Sequence, residues 1–234
     1  MQLFYNPEVT EHTTSITFSK EESKHIIKVL RKTQGDILHI TNGKGWLFDV
    51  EINQADIKRC EAKILSKSLQ SKRNFKLHMA VAPTKMNDRF EWFLEKATEI
   101  GIEEITPIIC DHSERKVVKL DRFEKILQSA TKQSLNCYLP KLNEAISFNE
   151  FIKQKFEGQL FIAHCENTNK ISLRKAIKSG LDTTILIGPE GDFSVKEIEI
   201  ATKNKFIPVT LGETRLRTET AAIVACHSIA YSNE

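Results

Sequence analysis

The chain has 234 residues, 40% of them hydrophobic and 28% charged, with a formal net charge of +3. This ordinary composition excludes a fibrous or low-complexity protein, and five cysteines without a CxxC pair (60, 110, 137, 165 and 226) exclude a zinc ribbon or a disulfide framework. No apolar run approaches membrane-spanning length, and the N-terminus MQLFYNPEVTEH has no basic region followed by an apolar one. The expectation is therefore a cytoplasmic protein that needs neither membrane nor metal; its seven histidines form no HExxH pattern. Residues 1–74 carry 12 Lys and Arg against 9 Asp and Glu, and the rest carries 22 of each. The basic excess thus sits in the N-terminal third, where it permits nucleic-acid binding without requiring it.

The first third reads as short strands: SITF (15–18), DILHI (36–40), WLFDVEI (46–52) and CEAKILS (60–66). The turn NGKG (42–45) marks a hairpin between the middle two. One helix interrupts them, with Ser19 as N-cap, Glu22 three residues on and HIIKVLRK following. This pattern predicts a small β-barrel over residues 1–72. The polar, basic stretch KSLQSKRN (67–74) reads as a linker.

Over residues 73–234 the period changes to strand alternating with helix. KLHMAVAP (76–83), ITPIIC (105–110), LFIAHC (160–165), TTILIG (183–188) and FIPVTLG (206–212) read as strands. The predicted helices are 88–101, 121–135, 172–180, 194–204 and 218–231. Gly101 stops the first, Asp121 with Glu124 and Ser194 with Glu197 form capping boxes, and Thr218 caps the last. The alternation predicts an α/β domain with a largely parallel sheet, which binds ligands beyond the carboxyl ends of its strands.

Three of those ends carry unusual loops, the first of them AHCEN (163–167). IGPEGDFS (187–194) has Gly188 and Gly191 for close backbone approach or positive φ, with Pro189 stiffening the turn. Neither GxGxxG nor GxxxxGK[ST] occurs, and Glu190 is a poor neighbour for phosphate, so a neutral or cationic ligand fits better. LGETRLRTETAA (211–222) sets Arg215 and Arg217 between an apolar strand and an apolar helix. Such arginines are costly near a core unless they meet a ligand or pair with Glu213 and Glu219.

Together these stretches resemble the bacterial 16S ribosomal RNA uridine-N3-methyltransferase family of the SPOUT class. Its GPEGG loop reads GPEGD here, with Asp192 at the final position, and its LG-x-x-x-LRTETA segment is intact. HIIKVLRK (25–32), KATEIGIEEITP (96–107) and KQSLNCYLP (132–140) match further family segments, the last with Lys132 and Asn136 at positions where the family differs. The resemblance implies a PUA-like RNA-binding domain at 1–72 and a SPOUT domain with a deep trefoil knot at 73–234. It further implies S-adenosylmethionine as methyl donor, 16S rRNA of the small subunit as substrate, and a homodimer.

It also implies a site. Backbone groups of Gly188, Gly191, Leu211 and Gly212 would hold the adenine edge while Ile187 and Leu216 pack on its faces, with His164, Pro189, Glu190 and Thr218 completing the cofactor set. Arg217 would stabilise charge on the uracil oxygens, and Glu219 would act either as base or as an orienting group. Arg31, Lys32, Lys85, Arg89, Arg115 and Lys116 form a candidate RNA track. Trp46, Trp92, Cys226 and His227 read as packing residues, and Cys165 as a strand end. Two other readings are a SPOUT 2′-O-ribose methyltransferase and a non-catalytic RNA-binding or ribosome-assembly factor.

Overall fold

The computed structural model describes residues 2–234. It divides into two compact units, one running to Lys72 and including Thr131–Leu139, the other comprising Arg73–Ala130 and Pro140–Glu234.

The first unit contains β1 (Leu3–Tyr5), β2 (Ser15–Thr17), α1 (Lys20–Lys24, continued by a π-helical turn over His25–Val29), β3 (Ile37–Thr41), β4 (Trp46–Gln54) and β5 (Glu61–Leu69). The strands form one mixed sheet in the order β1-β3-β4-β5-β2, with β1 parallel to β3 and the other pairs antiparallel. Alternation in β4 turns Phe48, Val50 and Ile52 inward, each fully buried, against Ile26 and Ile40. Ser19 caps α1 as its position predicts, accepting the Glu22 N–H at 3.2 Å. Strand β1 escapes the sequence reading because three residues are too few to display a period.

Residues 131–139 join this unit through specific bonds. The Thr41 hydroxyl donates to the Cys137 carbonyl at 3.1 Å, and the Gly45 N–H donates to the same carbonyl at 2.8 Å. Leu139 N–H reaches Gly43 O, and the Tyr138 hydroxyl donates to Gln70 O at 2.8 Å. The NGKG turn is thus a docking site as well as a hairpin, which a division of the chain at residue 72 does not anticipate. Asn136 spends its side-chain oxygen on the Tyr138 N–H at 2.9 Å, shaping this segment. The stretch 67–74 is not a slack linker either. Its first residues extend β5, and Arg73 donates to the Ile100 and Gly101 carbonyls at 2.7 and 2.8 Å, satisfying the end of a helix in the second unit.

The second unit comprises β6 (Leu77–Val81), α2 (Asn87–Ile100), β7 (Glu104–Ile109), α3 (Leu120–Gln133), β8 (Lys141–Leu142), β9 (Ile146–Ser147), α4 (Phe148–Phe151), β10 (Gln159–Ala163), β11 (Ile171–Ser172), α5 (Leu173–Ala176), β12 (Thr183–Ile187), α6 (Val195–Lys203), β13 (Ile207–Thr210) and α7 (Thr218–Tyr231). The last residues of α3, from Thr131, count with the first unit. The sheet runs β11-β13-β10-β12-β6-β7-β8, with β9 on β7, and every pairing is parallel. At its centre β12, TTILI, is buried along its whole length, the mark of a strand covered on both faces. Phe148, Phe151, Phe193 and Phe206 fill one core beside it. Helix α7 packs on α2, β6 and β12.

Local expectations need four corrections. Asp121 lies inside the first turn of α3 rather than capping it, whereas the Ser194–Glu197 box on α6 forms in both directions. The predicted helix 172–180 is a single turn, α5, because Ile177 already has extended backbone. Trp92 is 44% exposed, and His227 lies on the open face of α7, stacked on Tyr231 at 5.9 Å. Cys226 is buried as expected. Among the described residues no helix is long and apolar enough to cross a membrane, and no group of three acidic, His or Cys side chains could hold a metal ion.

Candidate functional site

Strands β13, β10 and β12 are neighbours and parallel, so their carboxyl ends open on one edge of the sheet. The loops that leave them surround a cleft of about 620 Å³, a volume suited to a small organic ligand. From the first two loops His164, Ile187, Gly188, Pro189 and Glu190 line it, and from the third Leu211, Gly212, Leu216, Arg217 and Thr218. The sequence pattern thus brought these residues to one place.

Each loop is held by identifiable bonds. Gly188 and Gly191 do not have positive φ, contrary to one expectation for them. Their value is space: a Cβ would stand 3.0 Å from the Phe193 ring at Gly188 and 2.9 Å from the His112 Cβ at Gly191. The Glu190 carboxylate accepts the Lys85 N–H at 2.9 Å, which ties the loop after β6 to the GPEGD turn. His112 Nδ1 lies 3.0 and 3.1 Å from the Gly191 and Asp192 carbonyls and donates to them. Helix α7 starts at Thr218, so its N-cap is Arg217, and Thr218 is a buried first-turn residue.

Two predicted residues lie outside the cleft. Gly191 packs against His112 instead. Glu219 is buried, one carboxylate oxygen 3.9 Å from Arg89 Nε and the other without a hydrogen-bond partner among the described residues. Arg89 is therefore engaged with α7. Other predicted basic residues also have local duties: Arg115 donates to the Thr84 and Lys85 carbonyls, at 2.6 Å in its shortest bond, and Lys85 pairs with Glu114 at 2.8 Å. In the first unit Lys32 pairs with Asp36 at 3.5 Å, while Arg31 is exposed with φ 56°. Lys116 is exposed. Arg215 reaches the Glu190 carbonyl at 3.4 Å. The guanidinium of Arg217 has no partner among the described residues, and it stands exposed at the rim.

The sequence places the AHCEN loop at the ligand edge, but marks Cys165 only as a strand end and gives Lys170 and Asp192 no place there; all three line the cleft. Lys170 carries no motif, yet its ammonium donates to the His164 and Glu166 carbonyls at 2.9 and 2.7 Å and so closes the loop 164–170 on itself. Inside that loop His164 is buried, and neither ring nitrogen has a partner among the described residues. A buried ring with one donor and one acceptor unused is an invitation to a ligand. Burial first, and the Lys170 charge second, hold its pKa below the ordinary 6.5. The unfolded chain takes up that proton more readily, so the contribution of neutral His164 is complete above about pH 6.5 and is lost as the pH falls through the depressed folded value. An NMR titration of the His164 ring should give a midpoint below that of free histidine; a midpoint at or above it would contradict burial as the governing cause.

The parallel sheet and the apolar walls of Ile187, Val209 and Leu216 define a class: an α/β domain with a cleft for a small organic ligand at the carboxyl edge of its sheet. Comparison with known proteins narrows this. Residues 51–230 match the family described as RNA methyltransferase domain, and residues 18–65 match the RNA methyltransferase PUA domain. A probable rRNA-methyltransferase from Porphyromonas gingivalis superposes with a TM-score of 0.92 at 39% identity, over 100% of this chain and 98% of that one. Ribosomal RNA small subunit methyltransferase E from Neisseria gonorrhoeae, solved with S-adenosyl methionine bound, gives 0.86 at 26% identity over 99% and 97%. The enzyme of the same name from Buchnera aphidicola (subsp. Acyrthosiphon pisum) is 31% identical, over 89% of this chain and 85% of its own. The chain belongs to the RNA methyltransferase family, among the proteins named ribosomal RNA small subunit methyltransferase E.

Proposed function

We propose that this protein is a cytoplasmic enzyme that methylates N3 of a specific uridine in 16S rRNA, using S-adenosylmethionine. The observation that carries the reading is the cleft itself, at the carboxyl ends of three parallel strands, with His164 in its lining and, at its rim, an arginine that has no partner among the described residues. The cofactor fits these residues. Its adenine is flat and uncharged and can lie between Ile187 and Leu216, its edge met by backbone groups of Gly188, Leu211 and Gly212. His164 supplies one further donor or acceptor, and no phosphate needs a cradle. When bound, S-adenosylmethionine supplies an electrophilic methyl group.

The protein's own residues then position the base and its charge. Arg217 donates to the uracil oxygens as N3 loses its proton, stabilising the anion; a guanidinium cannot itself take that proton. Glu219, buried outside the cleft and paired with Arg89, holds the start of α7 and so acts as a positioning residue, and the proton leaves to solvent. The target uridine must be unpaired or turned out of its helix, because pairing hides N3. In this reading residues 1–72 are a PUA-like RNA-binding domain and 73–234 a SPOUT domain. The passage from β13 through LGETRLRT to α7 closes a trefoil knot. Two copies form the active dimer, and the open face of α7 with His227 and Tyr231 is available to a second copy.

The test uses labelled S-adenosylmethionine and small ribosomal subunits from cells lacking this protein, with the methylated nucleoside identified by mass spectrometry. Labelled 3-methyluridine is the expected product. Label on a ribose would replace the reading by 2′-O-methylation, and absence of label together with absence of cofactor binding would leave a binding protein.

A further inference from the structure

Asp192 stands at the one left-handed position of the GPEGD turn, with φ 63°. Glycine is the least strained residue there, and a side chain is tolerated at a cost that asparagine and aspartate reduce. Here the carboxylate has two partners. One oxygen accepts the Phe193 N–H at 2.8 Å, within its own turn, and the other accepts the Cys165 N–H at 2.7 Å, across the cleft mouth. Among the described residues this second bond is the only side-chain hydrogen bond joining loop 164–170 to another loop. The Lys170 bonds close the loop only upon itself. The turn that carries Asp192 is braced in its turn from behind by His112.

We infer that Asp192 is a positioning residue of the cofactor cleft, whose carboxylate fixes the backbone at Cys165 and thereby sets the adjacent His164 in place for the ligand. The inference rests on the cofactor reading above. A loop of small polar residues, C-E-N-T-N, with few bonds of its own would otherwise have to be ordered when the ligand arrives, at a cost to affinity. A charge-assisted bond to a main-chain N–H removes that cost beforehand. Asp192 makes this arrangement without touching the reacting atoms.

The experiment compares full-length wild type, Asp192→Gly and Asp192→Asn. Glycine suits the left-handed backbone, so the first variant removes the carboxylate while relieving strain, and its melting temperature checks that it is folded. Two quantities are read: hydrogen exchange at the Cys165 amide without cofactor, and the calorimetric affinity for S-adenosylmethionine. In Asp192→Gly the amide should exchange faster and affinity should fall about tenfold, the scale of one charge-assisted hydrogen bond. Asp192→Asn keeps one acceptor oxygen and should recover much of both. An affinity equal to wild type in Asp192→Gly overturns the inference, with or without a change in exchange. Wild-type protein that binds no S-adenosylmethionine overturns the cofactor reading itself, a failure kept distinct because the exchange comparison uses no cofactor.

Discussion

Replacing Arg217 by alanine is expected to slow methyl transfer about 10²- to 10³-fold, the usual loss when one group that stabilises developing charge is removed. The structure makes this a clean substitution. Arg217 is exposed, its guanidinium has no partner among the described residues, and although it is the N-cap residue of α7 its side chain makes no capping bond. Alanine therefore removes little stability. Cofactor affinity should stay within a few-fold of wild type, since the residues proposed to hold the adenine, Ile187, Gly188, Leu211, Gly212 and Leu216, are all retained in the lining. Arg217→Lys keeps a charge but loses the planar fork that can meet a uracil oxygen with two N–H groups, and it should fall between the two. Single-turnover rates with small ribosomal subunits, at saturating cofactor, read the difference. A rate within about threefold of wild type for Arg217→Ala, below what one lost charge-stabilising group should cost, would remove Arg217 from the reaction.

Arg217 also illustrates what could be read from sequence. Two arginines between an apolar strand and an apolar helix are anomalous in any fold, and the anomaly pointed to the cleft rim without coordinates. The strand–helix alternation was equally legible, because β6, β7, β10, β12 and β13 are apolar runs bounded by polar turns. Ser194 and Glu197 announced α6 because a capping box is a local device, complete within four residues. What could not be read depends on partners distant in the chain. Asp192 bonds to residue 165, Glu190 to residue 85 and Cys137 to residues 41 and 45. Nothing in a local window states those pairings. Glu219 shows the same limit from the other side: its type and place in the helix's first turn left a base and an orienting role equally open, while its burial against Arg89 is set by the packing of α7 on α2.

The second large effect is expected far from the cleft, at Gly158. This residue has φ 76°, and a Cβ built on it would lie 2.0 Å from the carbonyl oxygen of Asp182 and 2.7 Å from the carbonyl carbon. That oxygen is fixed, since it accepts the Gln159 N–H at 2.8 Å at the start of the β10–β12 pairing. The same aspartate accepts the Lys76 N–H on its side chain at 2.8 Å, and Thr183 N–H bonds to the Lys76 carbonyl at 2.8 Å. Gly158 thus sits where β6, β10 and β12 are clamped at their amino ends, and neither backbone can yield without loosening the centre of the sheet. Although Gly158 is exposed, the clash is with a hydrogen-bonded backbone and not with a flexible side chain, so Gly158→Ala should cost about 3 kcal/mol. Gly180→Ala is the control: φ is 79° there too, but a Cβ would meet nothing within 4 Å. It should cost only the left-handed strain, about 1 to 2 kcal/mol. Urea unfolding followed by circular dichroism measures both. If Gly158→Ala proves no less stable than Gly180→Ala, the clamp is not a rigid one. If it proves much less stable, cofactor affinity should fall with it, because β10 and β12 carry at their other ends the loops that bear His164 and Gly188.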